Sequence, residues 1–465
     1  MEQLSSGKRI NSAADDAAGL SIATRMESNA RGLSMAIKNA GDAQSLIDTS
    51  EGAHQEVTNI LQRMRELAVQ SASDTNTATD RAALNDEVNQ LVLEIDRIAA
   101  QTTWGGMQLM DGTYQSKTFQ LGSYANETVG VSIDSIASAA LGSYTVDSLS
   151  HLMEGEGVAA DDTRSATGLV ITGPTNAASI SFDAKSSAKT VAAAVNAQSA
   201  TTGVSAAAKT NLVLDTLSHA GTVSFNLTGT GTSAISTSVA ATSDLTSIRD
   251  AVNAVAGTTG ITASMYQGDK GQLMFTSATG EDIKIDTFAS SGDAASSIKA
   301  YVTDFDGTKS ATTDTLTKAA SDSLIVAGEV RFSSVGSFTV VDAKNGAKGY
   351  MKDGSTTASQ AAISAVNIST LTGANSAITA IDGALNKISD ARANLGAVSN
   401  RIDHTISNLG NVLINTEASQ SRIQDADFAK VTGDLTKSQI MSQAATAMLA
   451  QANASKQGVL SLLQG

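Results

Sequence analysis

No cysteine occurs in the 465 residues, which excludes disulfides, thiolate zinc sites, iron–sulfur clusters and cysteine nucleophiles. Proline occurs once, so helices can run without interruption. Aromatic residues are 3% of the chain against 41% nominally hydrophobic residues. Alanine and small aliphatics therefore carry most of the apolar content, which suits long thin elements better than one thick globule. No apolar run of about 18 residues is present, and Met1-Glu2-Gln3-Leu4-Ser5-Ser6 lacks a basic or apolar leader. The reading is a chain that neither spans a membrane nor carries a cleaved signal peptide. Basic residues are the minority charge, 31 Lys and Arg against 46 Asp and Glu, and a net charge of −15 argues against nucleic acid or membrane as a partner.

What is present changes character near residues 140 and 372. Both outer blocks carry a helical period. Ser12 reads as an N-cap with Asp15 and Asp16 in the first turn, where carboxylates complement the helix dipole. Ala53, Val57, Ile60, Met64 and Leu67 are spaced four, three, four, three, a coiled-coil seam. After a polar loop over 71–79, Leu84, Val88, Leu91, Ile95 and Ile98 repeat that spacing on a second helix, about 80–100. From 101 to 135 the period drops to two. Phe119 and Leu121, then Val129, Val131 and Ile133, flank a turn at 124–128 and read as a hairpin. Past Ile381 the helical period returns through Leu385, Ile388, Leu395, Ile402, Ile406, Leu409 and Leu413, and a last amphipathic segment covers 435–463.

The middle is rich in Ser, Thr, Ala and Gly with short β-like runs, and it repeats internally. Val191, Val195, Asn196, Thr202, Gly203 and Val204 recur 57 residues later as Ile248, Val252, Asn253, Thr259, Gly260 and Ile261. Each copy reads as a short helix ended by a glycine cap and followed by strands. The fold class expected is a mainly α stem, built of antiparallel coiled-coil-like helices from both termini with a β-hairpin, plus a β-rich α+β outer insert.

The run Leu4-Ser5-Ser6-Gly7-Lys8-Arg9-Ile10-Asn11-Ser12-Ala13-Ala14-Asp15-Asp16-Ala17-Ala18-Gly19-Leu20 resembles the N-terminal signature of bacterial flagellins. Leu61 to Gln70, Glu94 to Ile98, Ala450 to Asn453 and Val459 to Leu463 are similar to further flagellin segments, in the family's order. The resemblance implies a self-assembling structural subunit of the flagellar filament, serving swimming motility, exported without a cleaved signal peptide and located in the flagellum outside the cell. It implies a junction to the inner filament domain over 1–16 and stem over 17–140 and 373–424. A variable surface insert would occupy 141–372, with related units near 179–230 and 240–290, and an inner-tube helix 425–465. Stem packing falls to Val57, Ile60, Met64, Leu84, Val88, Leu91, Ile95, Leu395, Ile402 and Leu409. Partners implied are other flagellin subunits, filament cap and hook-associated proteins, and an export chaperone that would grip Leu449, Val459, Leu460, Leu462 and Leu463, which also serve the inner tube. Relatives carry a further helical stretch before the Leu-Ser-Ser-Gly signature, so the expectation is a form lacking the extreme N-terminal helix. Trp104 and Gly105 stand where relatives usually have Phe and Asn.

Arg63, Leu67 and Gln70 lie at i, i+4 and i+7, one helical stripe, with Glu87 expected opposite on the antiparallel partner. The resemblance assigns this stripe to filament contact and to a flagellin-sensing Toll-like receptor of the host. All three are expected to be dispensable for folding, with Arg81, elsewhere on the stem and outside the stripe, as the control arginine. The alternative function is a flagellin-like adhesin or hook–filament junction protein. An enzyme is not expected: His54, His151, His219 and His404 have no His-Glu-x-x-His spacing, and no phosphate loop or nucleophile elbow occurs. No metal or other cofactor is called for.

Overall fold

The computed structural model describes residues 2–73, 75–149, 151–155, 167–292, 296–318, 322–342, 350–351 and 355–463, with backbone alone at 151–155, 167, 311–312 and 457–463. Helices at both ends enclose a β-rich middle in sequence. The chain divides into two compact units, residues 1–51 with 114–133 and 393–465, and residues 52–113 with 134–392.

In the first unit the long helix Ala17–Ser71 begins, and Asp16 rather than Ser12 is its cap: Asp16 Oδ1 accepts from Gly19 N at 2.9 Å. Asp15 instead closes the preceding turn, accepting from the amides of Asn11 and Ser12. The helix buries Leu33, Ala36, Ala40, Ala43, Leu46 and Ile47. Alanine at three of these positions lets the returning helix, Leu371–Gln424, approach closely with Leu395 and Ile402 buried and Gln44 Nε2 donating to Ser399 Oγ at 2.6 Å. The hairpin expected near 119–131 pairs Lys117–Gln120 with Thr128–Val131, Phe119 opposite Val129. It is held to the first helix by Asn39 Nδ2, which donates to Gln120 O at 3.1 Å. The chain start crosses the break between the Leu371–Gln424 and Phe428–Leu463 helices, with Arg9 N donating to Gln424 O at 2.6 Å.

In the second unit the first helix ends at Ser71 and the next, Ala78–Gln101, starts at a capping box: Thr77 and Asp80 each bond the other's backbone amide. Thr103–Trp104 then pairs with Met107–Gln108 across Gly105 and Gly106, whose φ of 55° and 82° make the two-residue turn that favours glycine. The unusual Trp-Gly-Gly run is thus a tight hairpin of its own.

Among the described residues the strands of the middle form three larger sheets, all antiparallel. A five-stranded sheet runs Thr232–Val239, Gly221–Thr228, Ile283–Ser290, Ser323–Ala327, His151–Gly155. A four-stranded one runs Ser355–Thr357, Thr339–Asp342, Thr167–Thr172, Ala177–Phe182. The largest is organised by the 12-residue strand Val204–Asp215, which pairs with Asp269–Ser277, Ser297–Thr303 and Glu329–Ser334. Two apolar cores result, one around Phe225, Phe275 and Leu324 and one around Phe332, Phe338 and Tyr350.

Each core holds one copy of the internal repeat. Helix Ala188–Asn196 buries Val191 and Val195; helix Thr246–Ala254 buries Ile248 and Val252. Asn196 donates to Ala206 O and accepts from Ala206 N, both at 2.8 Å; Asn253 does the same to Ala263 at 2.9 and 2.8 Å. The side-chain amide thus extends the strand's hydrogen bonding to the helix end. The glycines cap a further short turn of helix rather than the main one: Gly203 (φ 70°) follows Ser199–Thr202 and Gly260 (φ 69°) follows Ala256–Thr259. A hairpin precedes each helix, over 167–182 and 221–239, so the repeated unit is hairpin, helix, strand.

Candidate functional site

The surface around Arg63 is built by the end of the first long helix and the start of the second. Arg63 Nη2 lies 2.9 Å from Glu87 Oε1, and Arg63 Nη1 lies 3.0 Å from Glu66 Oε2. Hydrogen bonding to Glu66, then to Glu87, raises the guanidinium pKa further above its ordinary value, so it is a permanent cation with two carboxylates in reach. Glu87 is therefore where the antiparallel reading put it. Gln70 is exposed.

Leu67 is not part of this surface. It is 1% exposed, buried with Met64 and Ala68, so the expectation that it is dispensable for folding is corrected. At 3.6 residues per turn Leu67 lies about 40° to one side of Arg63 and Gln70 about 20° to the other. The edge of the buried face falls inside that arc. The apolar residue presented to solvent is Val69, 49% exposed, in a shallow groove with Gln62, Arg65, Glu66 and Gln70. Its neighbours are polar or charged, so an exposed valine there was readable as an unpartnered apolar group, but the four-three template assigned it no role.

The same template misplaces one seam residue. Leu61 is fully buried and Ile60 only partly. The inward positions run Ala53, Val57, Leu61, Met64, Ala68, Ser71, a period of 3.6 that follows a straight helix rather than the 3.5 of a supercoiled seam. Val88 and Ile95 are fully buried on the second helix, with Leu84 and Leu91 partly so; Leu409 is also partly buried. Arg81 is a poor control for Arg63. It is 9% exposed, and its guanidinium donates to Ser71 O and, at 3.1 Å, to Ser73 O, closing the end of the first helix.

The helix Phe428–Leu463 leaves large apolar side chains in solvent: Phe428, Ile440, Met441, Met448 and Leu449 are each at least 60% exposed. The backbone is helical through Val459, Leu460, Leu462 and Leu463, whose side chains lie outside the described residues. Val412 and Ile414, on the preceding helix, are exposed as well.

His54 is buried, His404 is exposed, and His219 Nδ1 lies 3.0 Å from Ser218 Oγ. Among the described residues no group of three His, Asp or Glu is placed to hold a metal ion, and no helix is long and apolar enough to cross a membrane.

Comparison with known proteins matches residues 1–115 to the bacterial flagellin N-terminal helical region and 378–463 to the bacterial flagellin C-terminal helical region. The flagellin hook IN motif matches twice, at 168–218 and 222–279, on the two copies of the hairpin, helix and strand. B-type flagellin of Pseudomonas aeruginosa is 40% identical, with all of this chain and 94% of that protein aligned. Flagellin B of Vibrio cholerae is 34% identical and polar flagellin A of Vibrio parahaemolyticus 32%, each aligned with all of this chain and 92% of the relative.

Proposed function

The chain belongs to the bacterial flagellin family, and from that premise we propose how its parts divide the work of a subunit of the flagellar filament. The observation that carries the proposal is the row of exposed apolar side chains on the C-terminal half: Val412, Ile414, Phe428, Ile440, Met441, Met448 and Leu449. Large apolar side chains left in solvent in this number on one chain point to burial against other copies. Residues 1–16, 17–140 and 373–465 serve assembly, and 141–372 faces outward. During export the exposed stretch around Leu449, with Val459, Leu460, Leu462 and Leu463, is the surface an export chaperone would cover, by the helix-in-groove mode. Cap and hook-associated proteins are further partners at the filament ends. The cation of Arg63 with Glu87, Gln70 and Val69 supports a docking surface for the host flagellin-sensing receptor, overlapping a filament contact.

Filament formation tests the assembly reading. The purified protein, seeded with filament fragments and viewed by negative-stain microscopy, should elongate them, and the double variant Ile440→Asp/Met448→Asp should not while keeping its circular dichroism. Elongation by the double variant at the wild-type rate would overturn the role given to this face. For the receptor reading, Arg63→Ala should reduce activation of receptor-bearing cells without changing the melting temperature.

A further inference from the structure

Methionine is the apolar side chain whose exposure has a chemical as well as a physical consequence, because solvent-borne oxidants attack its thioether sulfur. Of the twelve methionines, Met64, Met110 and Met351 are at most 1% exposed. Met35 and Met107 are about half-exposed and lie singly, one on the first long helix and one on the short strand Met107–Gln108. Met441 and Met448 are more exposed than any of these, at 64% and 71%.

The last two belong together. They stand seven residues apart on helix Phe428–Leu463, which at 3.6 residues per turn sets them within about 20° of each other on one stripe. Between them the stripe carries Ala444 and Ala445, both exposed, whose methyl groups are too short to shield a thioether three or four residues away. Both sulfurs are therefore open to solvent in the free subunit, on the helix whose apolar side chains are given to assembly.

We propose, resting on the assembly role given to this helix, that Met441 and Met448 form an oxidation-sensitive site, at which hydrogen peroxide converts both thioethers to sulfoxides in the free subunit and so withholds it from the filament. In each step a sulfur lone pair attacks one peroxide oxygen, the S–O bond forms as the O–O bond breaks, and the other oxygen leaves as water once it has taken up the proton. Sulfur is oxidised by two electrons and the peroxide reduced by two. The product is a polar acceptor where an apolar side chain stood. Burying it against a neighbouring subunit carries the cost of a polar group without a partner. A subunit already in a filament has this face covered, so the site acts on unassembled chains.

The test treats the purified full chain with hydrogen peroxide, follows each methionine by peptide mass spectrometry and then seeds elongation with filament fragments. Met441 and Met448 should gain oxygen before Met64, Met110 and Met351, with circular dichroism unchanged. Elongation should slow about tenfold or more, the effect of one buried polar group left unpaired, and methionine sulfoxide reductase should restore it. The variant Met441→Leu/Met448→Leu keeps volume and apolar character, so it should elongate at the wild-type rate before and after peroxide even though Met35 and Met107 are still oxidised. Oxidation of Met441 and Met448 no earlier than the buried methionines, full-rate elongation by the oxidised wild type, no recovery with the reductase, or an equal loss in the oxidised leucine variant each overturns the proposal. Failure of the untreated wild type to elongate seeds is a different result, which overturns the assembly role itself and the proposal with it.

Discussion

Replacing Glu329 with glutamine should make the second unit more stable, by an amount that grows with pH. Glu329 is 6% exposed on strand Glu329–Ser334, opposite Lys209. Burial, then the nearby charges of Asp147 and Asp304, push its carboxyl up to about 9, against the opposing pull of Arg331 and the Phe305 amide. In the unfolded chain the same group titrates near 4.3. Between those values the folded protein holds a proton that the unfolded one has released, so stability falls as pH rises and levels off above about 9. Each pH unit inside the window costs about 1.4 kcal/mol, so at pH 7 the glutamate costs roughly 4 kcal/mol relative to a neutral isostere. Glutamine keeps the acceptor for the Phe305 amide and carries no proton to lose. Urea unfolding followed by circular dichroism at pH 5, 6, 7 and 8 checks this. The stability difference between variant and wild type should widen by about 1 kcal/mol or more per pH unit. Contributions common to both proteins, including that of Lys209, whose pKa is lowered chiefly by burial, drop out of the difference. Parallel stability curves would refute the reasoning and mean that Glu329 is ionised in the folded state.

Leu67→Ala should cost about 2–5 kcal/mol, as truncation of a buried leucine does, whereas Arg63→Ala and Gln70→Ala should each stay within about 0.5 kcal/mol; urea midpoints separate them. Arg81→Ala strips the carbonyls of Ser71 and Ser73 of a charged donor and should cost about 1.5–3 kcal/mol, against about 0.5 for the exposed Arg97→Ala, by the same assay. Asn196→Ala and Asn253→Ala each remove two hydrogen bonds to a strand, at Ala206 and Ala263, and should cost about 1–3 kcal/mol. Because their helices pack on different cores, their double variant should show the sum, and a non-additive loss would mean the two copies unfold as one through these latches.

How much of this was legible beforehand depends on how local the cause is. The spacing of Leu84, Val88, Leu91 and Ile95 records a helix whatever it packs on. The alternation around Phe119 and Val129 likewise records a hairpin, because a strand's two faces are set by the strand itself. The repeat was legible because each copy is one local unit. Spacing fixes a residue's direction only to within a few tens of degrees, however, and Leu67 and Gln70 straddle the edge of the buried face inside that margin. Ile60 and Leu61 are the same problem, since neighbours 100° apart compete for one seam and only the partner helix decides between them. Ser12 and Asp16 are both good caps in isolation.

The polar cluster of the middle sheet was illegible for a different reason. Arg331, Asp147, Asp306 and Glu329 come from segments up to 184 residues apart, joined by strand pairings that no local pattern encodes. Taken singly, each reads as an ordinary surface charge in a chain with an acidic excess. Only the register of Glu329–Ser334 between Gly142–Asp147 and Val204–Asp215 buries Arg331 and Glu329 and sets Arg331 beside Asp147. That register also explains why Arg331 is bound by two aspartates. With Glu329 neutral, one guanidinium buried beside a polar layer needs its charge matched and its five donors filled, and Asp147 and Asp306 each accept two hydrogen bonds from it at 2.6–2.8 Å. Removing either aspartate would leave a buried cation half satisfied, so charge pairing is what holds this polar face of the sheet together.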